Sequence, residues 1–189
     1  MNSDEATVAV IDALDALRIP YMVVGSFSSN FYGIPRATQD ADFVVRLEAG
    51  ALSALANRLG TSFRLDPQMS FETVTATLRY KLQLPDDPFS VELFLLSDDA
   101  HDLERFARRR QERIFNRDVF IPTPEDVIVM KLRWSHGGRR GKDLDDAQNV
   151  IAVQSDCIDW DYVTSWCNRH GTRELLDSVR LSLQPDERG

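Results

Sequence analysis

The 189-residue sequence lacks any apolar run approaching the ~18 to 20 residues needed to cross a bilayer, so no membrane partner is expected. It also lacks a basic leader. The opening MNSDEATVAV carries acids where a secretory signal would carry lysine or arginine, which predicts a cytoplasmic protein. Cysteine is scarce: Cys157 and Cys167 sit late in helical-looking sequence and read as reduced structural thiols rather than a disulfide framework. The three histidines, His101, His136 and His170, have no zinc-like spacing and are assigned no chemistry. There is no internal repeat and no low-complexity linker. Basic residues are in deficit, 22 against 30 acids, for a net charge of −8. Such a chain is a poor general nucleic-acid binder, because that affinity rests on phosphate neutralisation. The charge hides two basic patches, however. Glu104–Asp118 holds Arg105, Arg108, Arg109, Arg110, Arg113 and Arg117, and a second spot holds Arg139, Arg140 and Lys142.

What is present is an ordinary globular composition, 43% hydrophobic and 28% charged. Helix and strand patterns alternate. Ser3 is placed to cap a first helix with Asp4 and Glu5 in its first turn, and Val8, Ile11, Leu14 and Leu17 recur at helical spacing. Tyr21–Val24 reads as a short apolar strand, and Gly25-Ser26 opens a helix to about Tyr32. Asp42–Leu47 reads as a second strand and Gly50–Leu59 as a helix. Thr73–Leu84 and Phe89–Leu96 read as a hairpin around Pro85-Asp86-Asp87-Pro88. Asp102–Arg110 is predicted helical, with a small strand pair at Arg113–Phe115 and Val119–Ile121. Thr123 with Pro124, Glu125 and Asp126 starts a helix that stops at Gly137-Gly138. Lys142–Val153, Trp160–Arg169 and Arg173–Leu183 are further helices, and the polar tail 184–189 is expected to be unordered. The fold class is therefore α/β or α+β: a mixed sheet flanked by helices over residues 1–121, with a helical part, 122–189, packed on it.

The segment Val23–Val45 carries the chemistry. A buried strand runs into Gly25-Ser26 and a helix start, where glycine permits close approach and free amides suit a phosphate. After thirteen intervening residues come Asp40 and Asp42, which open the next strand. Residues two apart on a strand share a face, so the two carboxylates point together. Paired like charges call for a cation, and oxygen ligands select magnesium or manganese completed by substrate phosphates. Nucleotidyl transfer uses that arrangement. Glu92, in the apolar run FSVELFLL, is the candidate third carboxylate.

Gly25-Ser26, Asp40-x-Asp42 and a later strand acid together resemble the nucleotidyltransferase superfamily with the DNA polymerase β fold. Gly33-Ile34-Pro35-Arg36-Ala37-Thr38 is similar to the G-x-x-R-x-T of its small bacterial members. Lys131, Lys142, Asp143 and Asp146 resemble the K…KD-x-x-D helices of the branch with abortive-infection (AbiEii-like) toxins. The resemblance spans roughly residues 20 to 150. It implies that Gly25 and Ser26 hold the triphosphate, with Arg36 and Thr38 also in the nucleotide site. It implies that Asp40, Asp42 and Glu92 bind the metals, with Glu92 also placed to take the attacking hydroxyl's proton. Lys131, Lys142 and Asp143 would lie near the triphosphate from the helical part. Family members usually carry aspartate where this chain has Glu92, one methylene longer.

The implied activity is transfer of a nucleoside monophosphate from a nucleoside triphosphate to a hydroxyl, with Mg2+ or Mn2+. An RNA acceptor such as a tRNA end is expected, with a toxin role and a cognate antitoxin. The alternatives are a small acceptor such as an aminoglycoside, which the negative charge would attract, a protein acceptor, and a nucleotide-binding module without turnover. Individual residues have second readings too. Gly25-Ser26 could be a plain turn, and Asp40 and Asp42 a solvated strand end with Arg36 as partner. Glu92 could pair with Arg79 or Lys81 on the hairpin partner. Lys142, Asp143 and Asp146 could be an exposed helix face, and the arginine run a solvated helix.

Overall fold

The structure is a computed structural model and describes residues 1–135 and 137–183; His136 and the tail 184–189 lie outside the described residues. The chain divides into two compact units. The first comprises Met1–Phe27 and Ala37–Pro122, and the second Ser28–Arg36 and Thr123–Gly189. The segment 28–36 is thus separated in sequence from the rest of the second unit.

In the first unit, helix α1 (Ser3–Ala16) is capped by Asn2, not by Ser3. The Asn2 side chain accepts from the Glu5 amide, and Glu5 accepts from the Asn2 amide, 2.8 and 2.9 Å. Strand β1 (Tyr21–Val24) is buried throughout. It leads into α2 (Gly25–Tyr32) and then β2 (Asp40–Val45). Helix α3 (Ala51–Leu59) and a short 3-10 turn precede β3 (Arg64–Leu65), β4 (Ser70–Glu72), β5 (Thr77–Gln83) and β6 (Ser90–Leu95). Helix α4 (Ala100–Arg108) and the hairpin β7 (Arg110–Ile114) and β8 (Arg117–Ile121) complete the unit.

The main sheet runs β1-β2-β6-β5-β3, with β4 on β5. Only the β2–β6 pairing within it is parallel. The apolar face carries Ala41, Phe43, Val45, Val91 and Leu93, all without solvent exposure. With Ile11 and Leu14 of α1 and Leu55 of α3 they form the unit's core. Burying each such side chain contributes about 1.5–3 kcal/mol. The opposite face is mixed: Asp40, Asp42 and Glu92 share it with the buried Met22, Val44 and Phe94.

The second unit holds α5 (Pro124–Trp134), α6 (Gly141–Gln154), α7 (Trp160–His170) and α8 (Arg173–Ser182). Thr123 caps α5, its hydroxyl accepting from the Asp126 amide at 3.4 Å. The Tyr162 hydroxyl of α7 donates to the Asp126 carboxylate at 2.7 Å, tying α7 to the start of α5. Cys157 and Cys167 are free cysteines. No helix among the described residues is long and apolar enough to cross a membrane.

Candidate active site

Strand β1 stops because Gly25 turns left-handed, with φ at +62°. Val24 pairs with Asp42, so Gly25 lies beside that aspartate. A Cβ on Gly25 would run into the Asp42 carboxylate, and even the Asp42 Cγ would stand only 2.9 Å away. Only glycine fits both the backbone angle and the approach. The next residues, Ser26 and Phe27, lie in the first turn of α2, at the helix end whose dipole favours an anion.

Asp40 and Asp42 are half-buried on one face of β2, while Ala41 and Phe43 are fully buried on the other. The Thr38 hydroxyl donates to the Asp40 carboxylate at 2.8 Å. Thr38, expected in the nucleotide site, is thus the residue that orients Asp40. The parallel register sets Glu92 directly beside Asp42. Antiparallel pairing then sets Lys81 directly across from Glu92. One transverse row therefore runs Val24, Asp42, Glu92, Lys81 across four strands.

Glu92 is engaged. Arg79 Nη1 donates to its carboxylate at 2.7 Å, with Glu92 14% exposed. Arg79 is itself fixed by the Ser70 hydroxyl at 3.0 Å and lies over the Phe94 ring at 5.7 Å. Among the described residues, no cluster of three or more His, Cys, Asp or Glu is disposed to hold a metal ion. The three carboxylates share a face, but the structure does not gather them on one point.

The remaining expected residues belong to the second unit. Arg36 has a partner within the second unit. It grips Asp146 in a two-pronged pair, Nε to Oδ1 at 2.7 Å and Nη2 to Oδ2 at 2.8 Å. Lys131 Nζ is buried between Asp146 at 2.6 Å and Asp143 at 3.2 Å. Arg140 pairs with Asp143 at 3.0 Å. Burial alone would raise the Asp146 carboxyl, but hydrogen bonds from Arg36 and Lys131 outweigh it and hold the carboxyl below its ordinary value. Asp143 and Asp146 are buried, so they are not an exposed helix face; Lys142 is exposed. Gly33 packs tightly here, since an added Cβ would stand 3.0 Å from the Val150 amide.

No family profile and no curated protein matches this sequence. Solved structures do. The antibiotic-resistance factor ANT(2'')-Ia superposes with a TM-score of 0.60 at 12% identity, covering 96% of this chain and 100% of that one. The lincosamide antibiotic adenylyltransferase LnuA, with lincomycin bound, gives 0.54 at 8% identity, over 79% of this chain and 97% of that one. A nucleotidyltransferase-like antigenic protein from Paracoccidioides brasiliensis gives 0.51 at 20% identity, over 93% and 91%. The chain has the nucleotidyltransferase fold.

Within this fold the residues can be tested against a metal. Asp40 and Asp42 offer hard oxygen ligands, half-exposed, next to a glycine-lined approach. Magnesium is held by one or two carboxylates plus substrate phosphates, so this pair fits one such ion. A third ligand from Glu92 does not fit while Arg79 holds that carboxylate.

The arginine run is largely committed within the first unit. Arg105 is buried on Asp102, Arg113 pairs with Asp118 at 3.0 Å, and Arg117 pairs with Asp12 at 2.6 Å. Arg109 stacks on Phe106 at 4.2 Å and Phe120 at 5.0 Å. Sequence reasoning missed the role of Thr38 toward Asp40 and that of Ser70 behind Arg79. The T-x-D spacing is a readable signal for the first. Nothing local signals the second, because it depends on the β4–β5 register.

Proposed function

We propose that this protein transfers a nucleoside monophosphate from a nucleoside triphosphate to a hydroxyl of a small molecule in the cytoplasm. The carrying observation is the close approach of Gly25 to Asp42, which sets the start of α2 against the face that the paired aspartates share. The first amides of α2 and Ser26 would take phosphate oxygens. Asp40, oriented by Thr38, and Asp42 would hold Mg2+ or Mn2+. When bound, that ion aligns the reacting oxygens and neutralises developing charge. The acceptor oxygen attacks the α-phosphorus, and the bond from that phosphorus to the β-bridging oxygen breaks. Pyrophosphate leaves, and Glu92, oriented by Arg79, accepts the hydroxyl proton.

Three observations support a small acceptor over RNA. ANT(2'')-Ia, matched over nearly its whole length, has also been solved in complex with adenylyl-2''-tobramycin. LnuA is solved with lincomycin. Three of the six arginines that would steer RNA, Arg105, Arg113 and Arg117, are paired internally. An RNA acceptor, with a toxin role and an antitoxin, rests on the Lys131-to-Asp146 motif, in which Lys131 is paired with Asp143 and Asp146.

The test supplies each α-labelled nucleoside triphosphate, magnesium or manganese, total RNA, and a panel of small hydroxyl compounds. Label on a small compound, lost in D40A/D42A, is the expected outcome. Label on RNA would transfer the chemistry to the toxin reading. Triphosphate binding with no label anywhere would leave a binding module.

A further inference from the structure

The acceptor end of the row Val24, Asp42, Glu92, Lys81 carries cations. Resting on the nucleotidyl-transfer reading, the direction of approach follows from sheet order. The phosphate cradle is at the β1 end, because Gly25 and Ser26 directly follow β1. Attacking and leaving oxygens lie on opposite sides of the transferred phosphorus. With pyrophosphate at the β1 end, the acceptor comes from the β6–β5 end. Lys81 stands there, roughly two strand spacings, about 10 Å, from Asp42.

Lys81 is half-buried and directly opposite Glu92. Its carbonyl accepts from the Asp66 amide at 2.8 Å, yet among the described residues its side chain makes no hydrogen bond or ion pair, because Glu92 is taken by Arg79 from the diagonal position. The acceptor end thus presents the Glu92 carboxylate, held by Arg79, and one ammonium without a side-chain partner among the described residues. A polycationic acceptor would bring like charge against Lys81. An anionic group on the acceptor would match it. A polymer would need several phosphates neutralised, and this face offers a single uncommitted lysine.

We propose that Lys81 binds an anionic group, phosphate or carboxylate, carried by a small acceptor next to its reacting hydroxyl. Lys81 is a specificity-determining residue. The acceptor is then a hydroxyl compound such as a sugar phosphate, polyol phosphate or hydroxy acid, and not an aminoglycoside.

The test is calorimetric binding to the full chain saturated with magnesium and an α,β-methylene triphosphate analogue. The probes are glycerol 3-phosphate, gluconate, tobramycin and a single-stranded RNA 12-mer. At least one small anion should bind to wild type, more tightly than tobramycin or the RNA. K81M should weaken that anion at least tenfold and leave the triphosphate analogue within twofold, and K81R should restore binding. Tighter binding of tobramycin or RNA, no binding of either anion, or anion binding unchanged in K81M would overturn the assignment. An equal loss of the triphosphate analogue in K81M would also overturn it, moving Lys81 to the nucleotide. Failure of every triphosphate analogue to bind wild type would instead overturn the nucleotidyl-transfer reading, and this assignment with it.

Discussion

At the residue scale, Gly25 carries two constraints at once. Its φ of +62° costs an L-residue about 1–2 kcal/mol, and a Cβ would displace the Asp42 carboxylate. G25A should therefore lower stability by about that amount and weaken triphosphate binding far more than the strain alone would. Denaturant melts and nucleotide titrations on the same sample check this; unchanged nucleotide affinity would contradict the cradle. Glu92 is the residue where two expectations met. Its pairing with Arg79 is in the structure, and a third metal ligand is not. R79M should leave the fold intact and change the acceptor-dependent rate more than triphosphate affinity, since Arg79 acts only through Glu92. Equal losses in both would place Arg79 on the nucleotide.

At the element scale, the segments around the site were legible because their signals are local. The apolar run before Gly25-Ser26 marks a strand-to-helix turn, and Tyr21–Val24 and Gly25–Tyr32 are both elements of the structure. Elsewhere a side chain overrode propensity. Thr73-Val74-Thr75 reads as strand, yet the chain turns there, splitting β4 from β5, with Ala76 at φ +54°. The cause is Glu72, whose buried carboxylate accepts from the Thr75 amide at 2.9 Å, the Thr75 hydroxyl at 2.7 Å and the Val74 amide. Backbone groups captured by a side chain leave the ladder. E72A should cost about 2–3 kcal/mol, as buried donors lose their acceptor. Helix α4 starts earlier than its pattern suggests because Asp99 caps it, accepting from the His101 and Asp102 amides. The β7–β8 strands run further than expected because Phe115 and Asn116, at φ +52° and +58°, make the tight turn that twisted hairpins favour. Neither a cap two residues upstream nor a positive φ at phenylalanine is visible to periodicity.

At the scale of the whole molecule, each unit contains a buried acid held ionised by cations. Burial opposes ionisation of Asp102, but Arg105 and the Ser97 amide and hydroxyl outweigh it and lower its pKa. Arg36 and Lys131 do the same for Asp146. A depressed carboxylate contributes stability that is fully present above its unfolded value, near 3.8, and is lost as pH falls through the lower folded value. The protein should thus lose stability on acidification below about pH 4. D146N should be destabilised at pH 7 by about 3 kcal/mol, with the gap to wild type closing in acid. A gap that stays constant with pH would show that Asp146 is not held ionised. The pair of Arg36 and Asp146, over 100 residues apart in sequence, could not be read from the chain. The resemblance implies that Lys131 and Asp143 lie near a triphosphate; in the structure both have partners within the second unit.

The most direct measurement is pyrophosphate release from each nucleoside triphosphate, titrated with magnesium and manganese, in wild type and in D40A/D42A. Release should depend on the divalent ion and on an added hydroxyl acceptor, and should fall by about a thousandfold or more in the double variant. Release that persists in D40A/D42A, or an absence of release from protein that binds the triphosphate and metal, would contradict nucleotidyl transfer at this site.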